Sequence, residues 1–241
     1  MKPISIALMV AVYAITFPVS AATKTWYINP DGTGDVPTIQ AGVDTAASGD
    51  TLMLAPGTYT GGGNRNIWIN RKNVSVISEA GAAATIIDCE GAQRAIYMGF
   101  DVTNTTVISG LTIENGYDAY YGGAIMCNYG ASPRITDNDI RNCTAGKNGG
   151  GIYSSSNCNP DIINNTITGC TAERGGGLYL ARCWSNASVG FNVITGNTAT
   201  ANGGGMSLSD AWPRIFNNTI SGNGAPSGGG IFLSGAMSHP V

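Results

Sequence analysis

A repeat of about 27 residues is the feature of this sequence that most constrains its fold. Five glycine runs each precede an apolar residue, and these apolar anchors recur at a nearly constant spacing. An asparagine recurs with the same spacing in four successive units. The anchors are Ile125, Ile152, Leu178, Met206 and Ile231, and the asparagines are Asn138, Asn165, Asn192 and Asn218. Two series in one register predict that each unit folds alike and stacks on its neighbours.

The apolar residues divide each unit into short strands. Ile135 and Ile140 stand on either side of Asn138 at positions of opposite parity, so one straight strand cannot point both side chains to one face. We expect Asn138 to turn a corner, because asparagine tolerates the left-handed conformation, and the glycine run to turn a second. Stacked units place equivalent residues about 4.8 Å apart, which predicts an asparagine ladder and apolar columns inside a solenoid of parallel strands.

The repeat also resembles a known family. The segments "GGGIY" and "NPDIINNTITGCTAERGGGLY" are similar to the coils of right-handed parallel β-helix proteins of the pectin-lyase-like fold, of the secreted bacterial type. The resemblance implies an all-β, right-handed parallel β-helix solenoid with about 26–27 residues per coil and a bend asparagine in each. It further implies that a substrate would lie along the outer face of the strand that follows the glycine run.

The amino-terminal part predicts a cap. Residues 27–61 are similar to the opening of extracellular β-helix proteins and of pectin methylesterases. From Thr38 onward, Ile39, Val43 and Ala46 fall on one helical face, which predicts a short capping helix within residues 27–50. Such a cap keeps the apolar core and the strand edges of the first coil from water. Residues 51–241 are expected to be the repeats.

The last coil is expected to be incomplete. Pro133, Pro160 and Pro213 each stand two places before an inward position, and Pro240 falls in the same place as the sequence stops. We expect the chain to be a fragment of a longer protein, and the alternative is an open last coil that a partner covers.

The segment 1–22 is typical of a secretory signal peptide. One lysine precedes an apolar run from Ile4 to Phe17, and small residues follow it. A membrane anchor is not expected, because the run is shorter than the roughly 18 apolar residues of a span and Pro18 interrupts it. We therefore expect a β-helix domain over residues 23–241 that is secreted or displayed on the cell surface.

Composition excludes two classes of function. Charged residues make up 11% of the chain, with 12 basic and 15 acidic side chains, so no basic surface for nucleic acid is expected. The chain has a single histidine, which argues against acid–base catalysis by imidazole.

Catalytic residues are hard to find on the expected substrate face. Its outward positions include Tyr153 and Tyr179, which we expect to contact a ligand, but no carboxylate or base. The motifs of polygalacturonases and pectin methylesterases are missing. Asp137 and Asp139 are the nearest approach to a Ca²⁺ site, yet the bend between them should aim them apart. We therefore expect no metal or other cofactor, with Ca²⁺ at this pair as the exception.

The loop after the glycine-run strand carries a second set of candidates. Arg182 and Asp210 occupy equivalent places in adjacent coils, as do Trp184 and Trp212. One interpretation is a carbohydrate platform of two indoles beside an ion pair, with Arg182 and Asp210 as the weak candidates for catalysis. The other interpretation is a surface salt bridge and loop aromatics that cover the core.

Two further sets of residues are placed together by the repeat. Arg134 and Asp161 stand one repeat apart and are expected to form an ion pair between coils. Cys143 and Cys170 share one column and are either disulfide-bonded or small apolar fillers. Cys158 and Cys183 present the same choice, and a zinc site is not expected because the spacing does not fit one.

Three hypotheses for the function remain. The first is a noncatalytic β-helix protein that binds a polysaccharide or a cell-surface glycan through its loops. The second is a polysaccharide lyase or glycoside hydrolase that acts on a polyuronate. The third is a passive spacer, because solenoids extend by repetition without any ligand.

Overall fold

The structure is a computed structural model that describes residues 22–184 and 186–235. The signal peptide prediction for residues 1–22 lies outside this range except for Ala22, and Pro240 also lies outside it. Within the described residues, strands pair in parallel and form four sheets along one solenoid, with a single helix. The predicted fold class, a right-handed parallel β-helix, is confirmed. No helix in the described part of the chain has both the length and the apolar character that crossing a bilayer requires.

Each coil contributes short strands to the sheets in turn, and sheet 3 begins only at the coil that contains Tyr117. Sheet 1 contains Thr25–Ile28, Thr51–Leu54, Ser75–Ser78, Val107–Ser109, Arg134–Thr136, Asp161–Ile163, Ser188–Gly190 and Arg214–Phe216. Sheet 2 contains Gly57–Tyr59, Thr85–Asp88, Thr112–Glu114, Asp139–Arg141, Thr166–Thr168, Val193–Thr195 and Thr219–Ser221. Sheet 3 contains Tyr117–Asp118, Thr144–Ala145, Thr171–Arg174 and Thr198–Asn202. Sheet 4 contains Ile67–Ile69, Ile96–Met98, Ile125–Cys127, Ile152–Ser154, Leu178–Ala181, Met206–Ser209 and Ile231–Ser234.

The register follows the repeat of the sequence. Ile135 pairs with Ile162 in sheet 1, and Ile140 pairs with Ile167 in sheet 2. All four side chains are fully buried inside the coil. Columns of this kind give parallel sheets a continuous apolar interior, since each isoleucine packs on the equivalent residue of the next coil.

The corner between sheets 1 and 2 corrects one detail of the sequence analysis. The left-handed residue stands one place before each ladder asparagine, with φ of +59° at Asp137 and +57° at Asn164. Asn138 is only 2% exposed and points into the coil. The preceding residue therefore turns the chain and faces solvent. The asparagine side chain points inward and can hydrogen-bond inside the corner.

Those buried asparagines hydrogen-bond along the solenoid. The Asn138 amide Nδ2 donates to Asn165 Oδ1 at 3.0 Å, and Asn165 Nδ2 donates to Asn192 Oδ1 at 3.1 Å. Asn192 Nδ2 donates to Asn218 Oδ1 at 2.9 Å. Each side chain also accepts from a backbone amide at the corner, such as the Asn138 amide, which donates to Asn165 Oδ1 at 3.0 Å. The ladder thus satisfies polar groups that would otherwise be buried without a partner.

The capping helix spans Ile39–Thr45 and begins at Thr38, whose hydroxyl accepts from the Ala41 amide at 3.2 Å. Ile39 and Val43 are buried, as the periodicity predicts. A Cβ on Gly42 would lie 3.0 Å from Ile28 Cδ1 and 3.1 Å from Leu52 Cδ1. The helix therefore lies directly on the core of the first coils.

The glycine runs bring backbones together where a side chain would not fit. The first glycine of each run is left-handed, for example Gly149 with φ of +69°. The second glycine packs on the next coil, and a Cβ on Gly176 would lie 2.5 Å from the Thr198 carbonyl oxygen. The runs thus combine a positive-φ turn with close stacking between coils.

Candidate functional site

A groove runs along the outer face of sheet 4. Its floor is the column of side chains that point away from the coil, and its amino-terminal end is the exposed Trp68. The four floor residues that follow are nevertheless 7–9% exposed and form an apolar cluster of their own. Their neighbours cover them, as Tyr121 and Tyr179 cover the two faces of Tyr153 and Arg94 lies against Met126. The floor, called the groove floor below, consists of Trp68, Tyr97, Met126, Tyr153, Tyr179, Ser207 and Phe232.

Aromatic rings stack along the groove floor. Tyr153 and Tyr179 lie with ring centroids 5.6 Å apart and planes 3° from parallel. Trp68 stacks on Tyr97 at 3.9 Å. Burial raises the pKa of Tyr153, so its hydroxyl stays protonated at neutral pH and is available for hydrogen bonding but not as a base.

One wall of the groove is formed by the residues that immediately precede the glycine runs. Tyr121 stacks on Tyr153 at 4.8 Å from this wall. Asp118 accepts from the Tyr120 and Tyr121 amides, both at 2.8 Å, and pairs with Arg94, which fixes the aromatic end of the wall. The wall, called the groove wall below, consists of Tyr121, Asn148, Arg174, Asn202 and Ser227.

The carboxy-terminal half of the groove holds a polar cavity. Arg174 and Asn202 from the wall face Tyr179 and Ser207 from the floor, and Ser209, Phe232 and Ser234 complete the lining. Arg174 lies 3.1 Å from Glu173, which also accepts from Lys147 at 2.9 Å. The Lys147 hydrogen bond lowers the pKa of Glu173, and this local cluster carries a net positive charge. A guanidinium, hydroxyl groups and a ring together can bind an oxyanion and the body of a sugar.

The repeat predicts that Tyr153 and Tyr179 point outward from this strand, as they do, whereas Arg174 and Asn202 are not among the residues it singles out. Their signal was available, since both occupy the position before a glycine run, as do Tyr121 and Asn148. The sequence does not show that this column flanks the floor. That follows only from the angle at which the chain leaves sheet 3.

The loop tryptophans also come together. The Trp184 and Trp212 rings are 5.3 Å apart and 11° from parallel, with 42% and 36% exposure. Trp184 Nε1 donates to Asn157 Oδ1 at 3.3 Å, which fixes its orientation. Each indole covers one face of the other, so the pair offers a ligand mostly ring edges and only part of its faces.

The two ion pairs expected between coils do not form. Arg182 and Asp210 both occupy left-handed corner positions, with φ of +52° and +47°, and make no salt bridge with each other. Arg134 and Asp161 are register partners in sheet 1, yet no salt bridge joins their charged groups either. Residues at equivalent positions of adjacent coils therefore have neighbouring backbones, but their long side chains can still point in different directions.

The aspartates considered for Ca²⁺ lie on opposite sides of a corner, as the sequence analysis expects. Asp137 Oδ1 accepts from Asn164 Nδ2, whereas Asp139 pairs with Arg141 at 3.2 Å. Arg141 also pairs with Glu114 at 2.7 Å. Among residues 22–184 and 186–235, no group of three histidine, cysteine or acidic side chains is arranged to hold a metal ion.

All six cysteines are free thiols buried inside the coil. Cys143 and Cys170 are stacked fillers of one column and carry no disulfide, and Cys158 and Cys183 carry none either. Burial raises the pKa of Cys158 to about 12 and that of Cys183 to about 11. Thiols in this state are poor nucleophiles at neutral pH.

Comparison with known proteins identifies the family. The sequence profile described as "Periplasmic copper-binding protein (NosD)" matches residues 43–239. The chain therefore belongs to this family. A comparison with curated protein sequences finds no match.

Two solved structures resemble the chain. It is similar to a structure titled "Rhamnogalacturonan lyase", with a TM-score of 0.53 and 19% identity, over 89% of this chain and 63% of that one. It is also similar to pectate lyase Pel9A, with a TM-score of 0.43 and 11% identity, over 90% of this chain and 80% of that one. The chain spans less than two thirds of the length of the rhamnogalacturonan lyase, and that likeness supports the fold.

The described residues do not fit the copper named in the family's description. Copper in proteins takes thiolate, thioether or imidazole ligands, and thiols must lose their protons to bind it. The six thiols are enclosed and carry raised pKa values where a shift is resolved, and Met126 in the groove lies against the Arg94 guanidinium. The single histidine, His239, lies outside the described residues.

Proposed function

We propose that this member of the NosD family acts outside the cytoplasm and binds an acidic polysaccharide in the groove on sheet 4 without cleaving it. The location rests on the family's periplasmic description and on the expected signal peptide at residues 1–22. A groove that runs along the stacking direction suits a polymer, because each coil advances by about 4.8 Å, close to the length of one sugar unit.

The observation that carries this proposal is the cavity between the groove wall and the groove floor. Arg174 and Asn202 line it from the wall, and Tyr179 and Ser207 line it from the floor. Such a combination of apolar rings with a few polar groups is typical of a ligand site.

Charge favours an acidic ligand. Arg174 is the cationic residue that lines the polar cavity, and its planar fork matches a carboxylate in a bidentate way. Asn202, Ser207 and Ser209 add groups that can both donate and accept hydrogen bonds, as sugar hydroxyls require. The described lining of this cavity contains no carboxylate that would repel a uronate.

The same lining argues against catalysis. Cleavage of a glycosidic bond by hydrolysis needs two carboxyl groups about 5 to 9.5 Å apart, and a lyase needs a base near the sugar ring. No carboxyl group is among the described residues that line the cavity, so the pair for hydrolysis is missing there. The groups of the lining that a lyase could use as a base are the Tyr179 phenol and the Arg174 guanidinium. A lyase or hydrolase acting on a polyuronate is the alternative, and the likeness to a rhamnogalacturonan lyase supports the fold alone.

Calorimetric titration with hexagalacturonate tests the proposal. We expect the wild-type chain to bind and Arg174→Gln to weaken binding about tenfold, because a charge-assisted contact is lost. Arg134→Gln is the matched control, since this exposed arginine lies on sheet 1, does not line the cavity and should change binding little.

The same samples report on catalysis. Incubation with the hexasaccharide should release no shorter product and no unsaturated sugar. Product formation would replace the proposal with the lyase or hydrolase alternative. If Arg174→Gln binds the hexasaccharide as tightly as the wild type, the groove is not the binding site.

A further inference from the structure

A second cleft lies on the other side of sheet 4, among the loops that lead to sheet 1. Four successive coils contribute to it, beginning with the segment around Thr103 and ending with Asn186. It shares no lining residue with the cavity at Arg174. The polar side chains that matter are Thr103, Asn104, Ser132, Asn159, Asp161 and Asn186.

Internal hydrogen bonds fix the middle of this cleft. Ser132 Oγ accepts from the Asn159 amide at 3.0 Å and donates to the Gly130 carbonyl at 3.1 Å. Asn159 Oδ1 accepts from the Trp184 amide at 2.7 Å. The loops of neighbouring coils are therefore tied to one another, and the cleft is a preformed feature of the stack.

Three polar side chains of the lining stay available. The side chains of Asn104, Asp161 and Asn186 make no hydrogen bond to any described residue. Asp161 lines this cleft and does not pair with its register partner Arg134. An amide both donates and accepts, and a carboxylate can accept from two hydroxyls at once. The two amides and the carboxylate can therefore pair with the hydroxyl donors and acceptors of a vicinal diol on a sugar ring.

The charge of the cleft differs from that of the groove. Its described lining contains the Asp161 carboxylate and no cationic residue. A carboxylate repels uronates but accepts hydrogen bonds from neutral hydroxyls more strongly than an amide does. The cleft therefore discriminates against the acidic ligand proposed for the groove.

Aromatic stacks stand at both ends of the cleft. Phe100 and Tyr129, with centroids 4.4 Å apart, precede the cleft residues Val102 and Gly130 in the chain. Trp184 stands two places before Asn186 and stacks on Trp212. All four rings are at least 36% exposed. Exposed rings beside hydroxyl-binding groups contribute apolar contact to the carbon faces of a sugar.

We infer that this loop cleft is a second binding site, which takes a neutral oligosaccharide. The inference is independent of the function proposed for the groove, since the two sites differ in residues and in charge. With both sites occupied, one chain holds an acidic and a neutral glycan on adjacent faces. The solenoid then crosslinks the two polymers.

Titration with cellohexaose, xylohexaose and mannohexaose tests the inference. We expect at least one of these neutral sugars to bind, and Asp161→Ala to weaken that binding about tenfold through loss of two acceptor sites. Asn186→Ala should weaken it less. Asp44→Ala, which removes a carboxylate from the capping helix, is the matched control and should leave binding unchanged.

Groove variants separate the two proposals. Arg174→Gln should leave neutral-sugar binding intact while it weakens hexagalacturonate binding, and Asp161→Ala should do the reverse. Thermal unfolding of each variant checks that the fold persists. The inference is overturned if no neutral hexasaccharide binds at millimolar concentration, if Asp161→Ala and Asn186→Ala leave binding unchanged, or if Arg174→Gln abolishes it.

Discussion

The inward and outward columns of the solenoid obey different rules. Inside the corner between sheets 1 and 2, Asn138, Asn165, Asn192 and Asn218 repeat without change. On the groove floor the corresponding series changes at nearly every coil, from Trp68 through Met126 to Ser207. Both columns have the same backbone register, so the difference does not come from strand pairing.

The difference lies in what each side chain touches. An inward residue contacts its own equivalents in the coils before and after it, so one substitution disturbs three coils. An outward residue faces solvent or a ligand on one side. The stacking of coils therefore does not require a particular residue type at that position. Repetition inside therefore reports on stability, and the outward positions are free to vary and to take up the binding role proposed above.

Breaking the asparagine ladder should have the largest effect. Asn165→Ala removes the acceptor of the Asn138 amide and side chain and breaks the hydrogen bond to the Ile135 carbonyl. We expect the free energy of unfolding to fall by about 4 kcal/mol, because buried polar groups lose their partners and a cavity remains. Urea denaturation measures this. Thr166→Ala, on the adjacent exposed position, should cost less than about 0.5 kcal/mol. Equal costs for the two would contradict the distinction between the columns.

Adding a methyl group where coils touch should have the next largest effect. A Cβ on Gly176 would lie 2.5 Å from the Thr198 carbonyl oxygen and 2.6 Å from that of Gly204. We expect Gly176→Ala to lower the free energy of unfolding by about 3 kcal/mol, since backbone atoms must move apart. Gly62→Ala provides the control, because no atom lies within 4 Å of its Cβ position. A Gly176→Ala protein as stable as Gly62→Ala would show that coil stacking tolerates side chains.

Titration of an inward thiol should show an effect of intermediate size. Burial raises the pKa of Cys183 from 9.0 to about 11 in the folded chain. Its contribution to stability is thus complete below pH 9 and is lost as pH rises from 9 towards 11. Between pH 9 and 10 we expect the wild type to lose about 1 kcal/mol more unfolding free energy than Cys183→Ala. Identical pH profiles would mean that this thiol is not enclosed.

A substitution on the groove floor should have the smallest effect on stability. Tyr179→Phe removes only the hydroxyl group and keeps the ring that stacks on Tyr153. We expect the free energy of unfolding to fall by less than about 1 kcal/mol, since the ring stays buried and stacked. Hexagalacturonate binding should weaken several-fold. A stability loss as large as that of Asn165→Ala would place this tyrosine among the structural residues.

The parts of the fold that depend on repetition could be predicted from the sequence. The strand register, the inward isoleucines and the capping helix at Ile39–Thr45 all follow from spacing, because stacked coils force equivalent residues into columns. The sequence places the corner one residue late. It predicts a left-handed Asn138, but Asp137 takes that conformation and the buried asparagine serves the ladder.

The candidate sites depend on features that spacing does not encode. Arg174 becomes part of the groove because sheet 3 delivers it beside Tyr179, a matter of corner angles. Arg182 and Asp210 have equivalent places, yet their corner conformations do not bring the charges together. Spacing predicts Asp161 beside Arg134, whereas the aspartate lines the loop cleft. Long side chains choose among rotamers according to their local surroundings, which a single sequence does not reveal.

We propose that the outward side chains of sheet 4 bind a glycan. A ¹⁵N-resolved NMR titration with hexagalacturonate tests it most directly. The account predicts shift changes at Arg174, Tyr179, Asn202 and Ser207, with the ladder asparagines and the strands of sheet 2 unaffected. Shift changes confined to other faces of the solenoid, or none at millimolar sugar, would contradict it.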